Sequence, residues 1–256
     1  MNFCTIAPGS MLESVETSHI HLILPQVTNL HYIKFYQKVR GKGDTLILDN
    51  GAYEGKFNER QLLRAITTYD PQYVVLPDAL LKSHHITYQM AAAFALENKT
   101  LLSGRRLIYI PQAEAGDIMS ATNAVYAAMV HAFEHGWDIG LPRAFATHMG
   151  CPSLRVEATK WLRKEKYNGY IHAFGMANGS LSELSSLSRA GANSCDSSCA
   201  VWRGYHGIDL CEKEGDEKWR SIGTPVDFDS PTLRYGDSRW EVIERNQRKI
   251  KEAMNG

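Results

Sequence analysis

Thr45-Leu46-Ile47-Leu48-Asp49-Asn50-Gly51-Ala52-Tyr53 and Tyr73-Val74-Val75-Leu76-Pro77-Asp78 decide how this chain is read. Each is a short apolar run that stops at an aspartate. Between them, Asn58–Tyr69 reads as a helix. Runs that are apolar without alternation mark strands buried on both faces. A strand, a helix and a second strand imply parallel neighbours joined by a crossover. The alternation continues in both directions. Strand-like runs occur at Asn2–Ile6, His21–Leu24, Thr45–Asp49, Tyr73–Pro77, Leu107–Pro111, Trp137–Pro142, Tyr170–Phe174 and Asn193–Asp196. Candidate helices occupy Asn29–Val39, Asn58–Tyr69, Leu81–Glu97, Met119–His135, Pro152–Lys166 and Leu181–Arg189. Eight strands predict one α/β domain, a (β/α)8 barrel of the TIM type, with an open doubly wound sheet as the alternative. Only Pro8–Ser18, between the first two strands, lacks a helical period.

The chain has 256 residues, close to the roughly 250 usual for such a barrel. It is 44% hydrophobic and 22% charged, which excludes a disordered chain. Its 28 basic and 28 acidic residues argue against a general nucleic-acid coat protein but leave room for a local basic groove. No apolar run approaches the roughly 20 residues of a membrane helix, and Met1-Asn2-Phe3-Cys4 does not open a signal peptide. Five cysteines, Cys4, Cys151, Cys195, Cys199 and Cys211, form an odd and sparse set, expected as reduced thiols in a cytoplasm. The barrel core is expected over about 1–211, followed by a polar loop at 212–237 and a terminal helix at 239–254. Ser238 reads as the N-cap of that helix. Trp240, Ile243, Ile250 and Met254 share its apolar face, while Arg245, Arg248, Lys249 and Lys251 read as a solvated face.

Barrel active sites lie at the C-terminal ends of the strands. The third strand ends in Asp49-Asn50, the fourth in Asp78, the fifth in Gln112, the sixth runs through Gly140-Leu141, the seventh ends in Phe174-Gly175-Met176 and the eighth in Asp196. One such aspartate reads as a helix cap. Three around one mouth would crowd like charges, which a site needing a nucleophile and an acid/base explains. Two carboxylates flanking a glycosidic bond suit a double displacement. If the second nucleophile is a base rather than water, the outcome is base exchange with retained configuration. A third carboxylate can then accept both N–H donors of guanine's Watson–Crick edge.

Asp49-Asn50-Gly51-Ala52-Tyr53-Glu54 resembles the Asp-Ser-Gly-Gly-Phe/Tyr-Gln motif of the queuine/archaeosine tRNA-guanine transglycosylases. The stretch from His172-Ala173-Phe174-Gly175 through Gly191 to Asp196 resembles the segment leading to that family's nucleophile. The resemblance spans roughly Leu46–Gly207 as short motifs in the same order. It implies Asp196 as nucleophile and Asp49 as general acid/base. It also implies a guanine pocket from Asp78, Gln112, Gly140 and Leu141 with Asn50 beside it, and Tyr53 as one stacking wall. The other wall is Met176 by spacing from Asp196, or Phe174 by the Phe-Gly pair.

The departures point to a subgroup. The tRNA enzymes hold zinc through three close cysteines and a later histidine. No cysteine follows Cys211, and Cys195, Cys199, Cys211 and His206 have the wrong spacing, so no metal and no other cofactor is expected. Asn50 and Ala52 replace Ser and Gly. A compact, zinc-free chain is similar to the phage DNA-guanine transglycosylases, which place 7-deazaguanines such as 7-cyano-7-deazaguanine in DNA. That resemblance implies DNA as partner, with tRNA as the alternative, and a host cytoplasm if the chain is viral. Arg203 is then the phosphate contact, and Trp202 a packing or stacking group. A non-catalytic nucleic-acid-binding subunit and a nucleoside or glycoside hydrolase are the competing classes. A protein partner or a homodimer stays open. His84-His85 opens a helix near the expected mouth, Arg105-Arg106 is expected at the opposite end, and Lys160, Arg163, Lys164 and Lys166 read mostly as surface.

Overall fold

The computed structural model describes residues 1–15, 18–53, 55, 57–177, 180–210, 226–234 and 236–256. Glu54, Cys211 and most of the polar loop expected at 212–237 lie outside the described residues. Eight strands alternate with helices: β1 (Asn2–Thr5), α1 (Leu12–Val15), β2 (Ile20–Ile23), α2 (Leu30–Gly41), β3 (Thr45–Leu48), α3 (Glu59–Tyr69), β4 (Tyr73–Val75), α4 (His84–Glu97), α5 (Lys99–Leu102), β5 (Arg106–Tyr109), α6 (Ile118–His135), β6 (Asp138–Leu141), α7 (Ala144–Thr147), α8 (Leu154–Lys164), β7 (Ile171–Ala173), α9 (Leu181–Ala190), β8 (Ser194–Ser197), α10 (Cys199–Tyr205) and α11 (Arg239–Asn255). All strand pairs are parallel, and each strand from β2 to β8 pairs with its neighbour in sequence. β8 then pairs with β1, with Cys4 opposite Asp196. β1 and β2 are in contact at the remaining seam, although no ladder joins them among the described residues. The result is a nearly closed (β/α)8 barrel.

Local chemistry explains the boundaries. Asn29, Asn58, Asp117 and Ser180 each accept a backbone N–H from the first turn of the following helix, at 2.8–3.1 Å, as N-caps do. Left-handed Gly136 and Gly191 end α6 and α9. Leu46, Ile47, Leu48, Val74 and Val75 are fully buried, as strands covered on both sides must be. Each such aliphatic side chain contributes about 1.5–3 kcal/mol of burial. Between β1 and β2 there is only the four-residue α1, too short to leave a helical period. Leu81, expected as the first residue of a helix, has φ +57°, and α4 begins at His84.

The terminal helix forms as expected, but its cap differs. Ser238 is helical and makes no side-chain cap. Asp237 does the work instead, its carboxylate accepting Arg239 N–H at 3.0 Å. Ile243 and Ile250 are buried, with Trp240 and Met254 packed beside the core. Two of the four basic residues are engaged rather than solvated: Arg245 forms a bidentate pair with Asp209, and Lys249 donates to the Leu210 carbonyl at 2.7 Å. Arg163 is also a clamp, donating to the carbonyls of Tyr167, Gly169 and Gly191. Arg105 and Arg106 lie at the N-terminal end of β5, paired with Asp70 and Asp138. Among the described residues, no helix is long and apolar enough to cross a membrane.

Fully buried Asn246 staples α11 to the barrel. Its Nδ2 donates to the carbonyls of Ala200 and Ile208, and its Oδ1 accepts Leu210 N–H at 2.7 Å. Replacing it leaves three buried backbone groups unpaired. Asn246→Ala is expected to lower unfolding free energy by about 2–3 kcal/mol, measured by urea denaturation, whereas exposed Arg248→Ala should leave it unchanged.

Candidate active site

One cavity at the C-terminal ends of the strands encloses about 810 Å³, its open mouth included. Asp49, Asn50, Tyr53, Asp78, Gln112, Phe174, Met176 and Asp196 all line it. The three aspartates are each less than a tenth exposed. Asp49, Asp78 and Gln112 follow the ends of β3, β4 and β5, whereas Asp196 lies within β8, opposite Cys4 of β1.

Asp78 is held on both oxygens. Asn50 Nδ2 donates to Oδ1 at 2.6 Å, and Gln112 Nε2 donates to Oδ2. Asn50 itself is fully engaged: Nδ2 also donates to the Leu76 carbonyl, and Oδ1 accepts Ala52 N–H. Leu81 N–H reaches Gln112 Oε1 at 3.4 Å, which sets the amide's orientation. These amides stabilise Asp78 as an anion and aim it. A carboxylate oxygen can accept more than one donor.

Asp196 is addressed from β7. Its Oδ1 accepts the Gly175 backbone N–H at 2.9 Å and faces His172 Nε2 at 3.0 Å. His172 Nδ1 lies 2.6 Å from Ser194 Oγ, which accepts the Tyr170 hydroxyl at 2.7 Å. A carboxylate only accepts, so His172 Nε2 donates to Asp196, while Ser194, with two lone pairs and one proton, can pair with both Tyr170 and His172 Nδ1. Burial pushes the Tyr170 hydroxyl well up, keeping this chain a donor at neutral pH. Both bonds fall on Oδ1; among the described residues Oδ2 takes none.

The turn that supplies Gly175 has its own anchor. Arg155, fully buried on α8, donates to the Phe174 and Gly175 carbonyls at 2.7 and 2.8 Å. Its Nε donates to Glu183 on α9 at 2.9 Å, and the second Glu183 oxygen accepts Ala177 N–H. Gly175 sits at φ +63°, a left-handed conformation that glycine adopts without strain.

Three expected site residues fall elsewhere. Gly140 and Leu141 do not line the cavity. A Cβ on Gly140 would meet the Phe174 ring at 2.4 Å, so its lack of a side chain lets Phe174 lie across β6. Leu141 is fully buried in the core. Arg203 is buried on α10 and does not line the cavity either; Trp202 beside it stacks on Tyr205. The cation that does line it is Arg143, with its guanidinium 5.8 Å from the Tyr53 ring centroid. Sequence reading passed over Arg143, which follows the Leu141-Pro142 strand end, and treated His172 only as part of a motif. Among the described residues, Cys195, Cys199 and His206 belong to no cluster of three or more metal-ligand atoms, and Cys211 lies outside the described residues.

Comparison with protein-family models and with curated proteins finds no match. The assignment of chemistry therefore rests on the geometry above. A TIM-type barrel with clustered carboxylates at the catalytic end is consistent with an enzyme.

The buried Arg155–Glu183 pair yields a prediction. Glu183→Ala strands a buried guanidinium and should destabilise the fold by about 3–5 kcal/mol. The double variant Arg155→Met/Glu183→Leu removes the stranded charge but leaves the Phe174 and Gly175 carbonyls and Ala177 N–H without these partners, so it should recover only part of that loss in urea denaturation. A larger loss in the double variant than in Glu183→Ala would contradict the cost assigned to the stranded charge.

Proposed function

We propose that this protein is a guanine transglycosylase that exchanges guanine in DNA for a 7-deazaguanine base. The observation that carries the reading is that Asp49, Asp78 and Asp196 line one cavity, with Asp78 clamped by two amides and Asp196 oriented through a single oxygen. In the proposed reaction, Asp196 Oδ2 attacks C1′ of the deoxyribose. The bond from C1′ to guanine breaks, and Asp49 supplies the proton that lets guanine leave neutral. The incoming base gives its proton to Asp49 and attacks C1′ from the opposite side, releasing Asp196. Two inversions retain configuration.

Asp78 reads the base. Its carboxylate, held by Asn50 and Gln112, offers acceptors to the two N–H groups of a guanine-like edge, which 7-deazaguanines share. Asn50 has no N–H left over, so it serves as a brace rather than a reader. Tyr53 supplies one stacking face, and Phe174 or Met176 the other. The target nucleotide must leave the stack or arrive single-stranded. Arg143 takes the role of phosphate or base contact that the resemblance assigned to Arg203, because it lines the mouth. His172 and Gly175 hold Asp196 in place, so His172 is a positioning residue. DNA is favoured over tRNA because the zinc module of the tRNA enzymes has no counterpart here.

The test is a labelled-guanine exchange assay with duplex DNA, single-stranded DNA and tRNA in parallel. Label should enter DNA, vanish with Asp196→Asn and slow by roughly 10²–10⁴ with Asp49→Asn. Label in tRNA would overturn the choice of nucleic acid. Base released without incorporation would make the protein a hydrolase. Nucleic-acid binding without exchange, unchanged in Asp196→Asn, would make it a binding subunit. Arg143→Ala should raise KM for the polynucleotide while leaving exchange on a mononucleoside unaffected.

A further inference from the structure

The histidines that open α4 and close α6 take no part in the cavity. His131, Glu134 and His135 stand at positions i, i+3 and i+4 of α6, so their side chains share one helix face. One ligand atom from each lies within 4.8 Å of the others. Tyr88 of α4 closes the group from the side. Its ring stacks on His131 at 3.8 Å with an interplanar angle of 11°, and its hydroxyl lies 3.0 Å from His135 Nε2. Trp137 packs against the other side of His135, 4.4 Å between rings. Glu134 reaches His131 Nδ1 at 3.5 Å. None of these residues lines the barrel cavity.

We propose that this face of α6 is a binding site for a divalent first-row transition-metal cation of the zinc class, with His131, Glu134 and His135 as its protein ligands. Two imidazoles and one carboxylate match the donor set of such a cation, with a fourth position for water. Calcium and magnesium prefer sites built wholly of oxygen. Zinc peptidases carry the order His-x-x-Glu-His on a helix with its two imidazoles as zinc ligands and its glutamate as general base; here the carboxylate of Glu134 lies close enough to both imidazoles to serve as a third ligand. Tyr88 and Trp137 restrain the imidazole rings before a cation arrives, which reduces the entropy lost on binding. None of the three proposed ligands is a cysteine.

The experiment uses the tag-free chain, stripped with chelator and with its thiols alkylated, titrated calorimetrically with zinc chloride. Saturation at one equivalent is expected. Glu134→Gln and His135→Gln, both at exposed positions, should each weaken binding by roughly tenfold or more, with unchanged far-UV circular dichroism. Absence of saturable binding, affinity in either variant equal to that of the unsubstituted chain, or equally tight binding of magnesium would overturn the proposal.

Discussion

A guanidinium sealed from solvent between α8 and α9 sets the geometry of the cavity. Arg155 holds the carbonyls of Phe174 and Gly175 while Glu183 balances its charge and takes Ala177 N–H. Burying an ion pair brings little net stability. What it brings here is a fixed turn after β7. That turn aims the Gly175 N–H at Asp196 and sets Phe174 across Gly140. If it moved by an ångström, Asp196 would lose one of its two partners, and the inner wall of the cavity would shift with it.

Two of the three carboxylates in the cavity are held by directed hydrogen bonds. Asp78 receives two side-chain amides, while Asp196 receives a backbone N–H and an imidazole. The chain from Tyr170 through Ser194 and His172 ends on Oδ1. A carboxylate bonded on one oxygen is oriented while its other oxygen stays open to a ligand. In the proposed reaction that asymmetry suits a nucleophile, whereas the grip on both oxygens of Asp78 suits recognition.

Much of the fold was legible because most crossovers repeat one signal: a short apolar strand, a polar turn and a helix, with side-chain caps opening α2, α3, α6 and α9. Pro8–Ser18 resisted because a single helical turn has no period to detect. In the site, the strand-end rule located Asp49, Asp78, Gln112 and Asp196, whose common cavity follows from barrel closure alone. The supports were not legible. Arg155 and Glu183 belong to two different helices, and neither carries a local pattern that foretells their pairing. His172 reads as an ordinary interior strand residue until Asp196 and Ser194 are brought beside it. Gly140 was expected in the pocket because sequence cannot show that the Phe174 ring fills the space a side chain would take. Arg203 was expected as a phosphate contact because its burial on α10 has no local signal.

Covalent attachment of Asp196 to the sugar is the central claim, and intact-mass analysis tests it most directly. The protein would be mixed with a guanine-containing DNA oligonucleotide without any free base, quenched in acid and digested for peptide mapping. The account predicts a protein–oligonucleotide adduct lacking one guanine, mapped to Asp196, absent in Asp196→Asn and discharged by added 7-deazaguanine. An adduct at another residue, or base exchange that persists in Asp196→Asn, would contradict it.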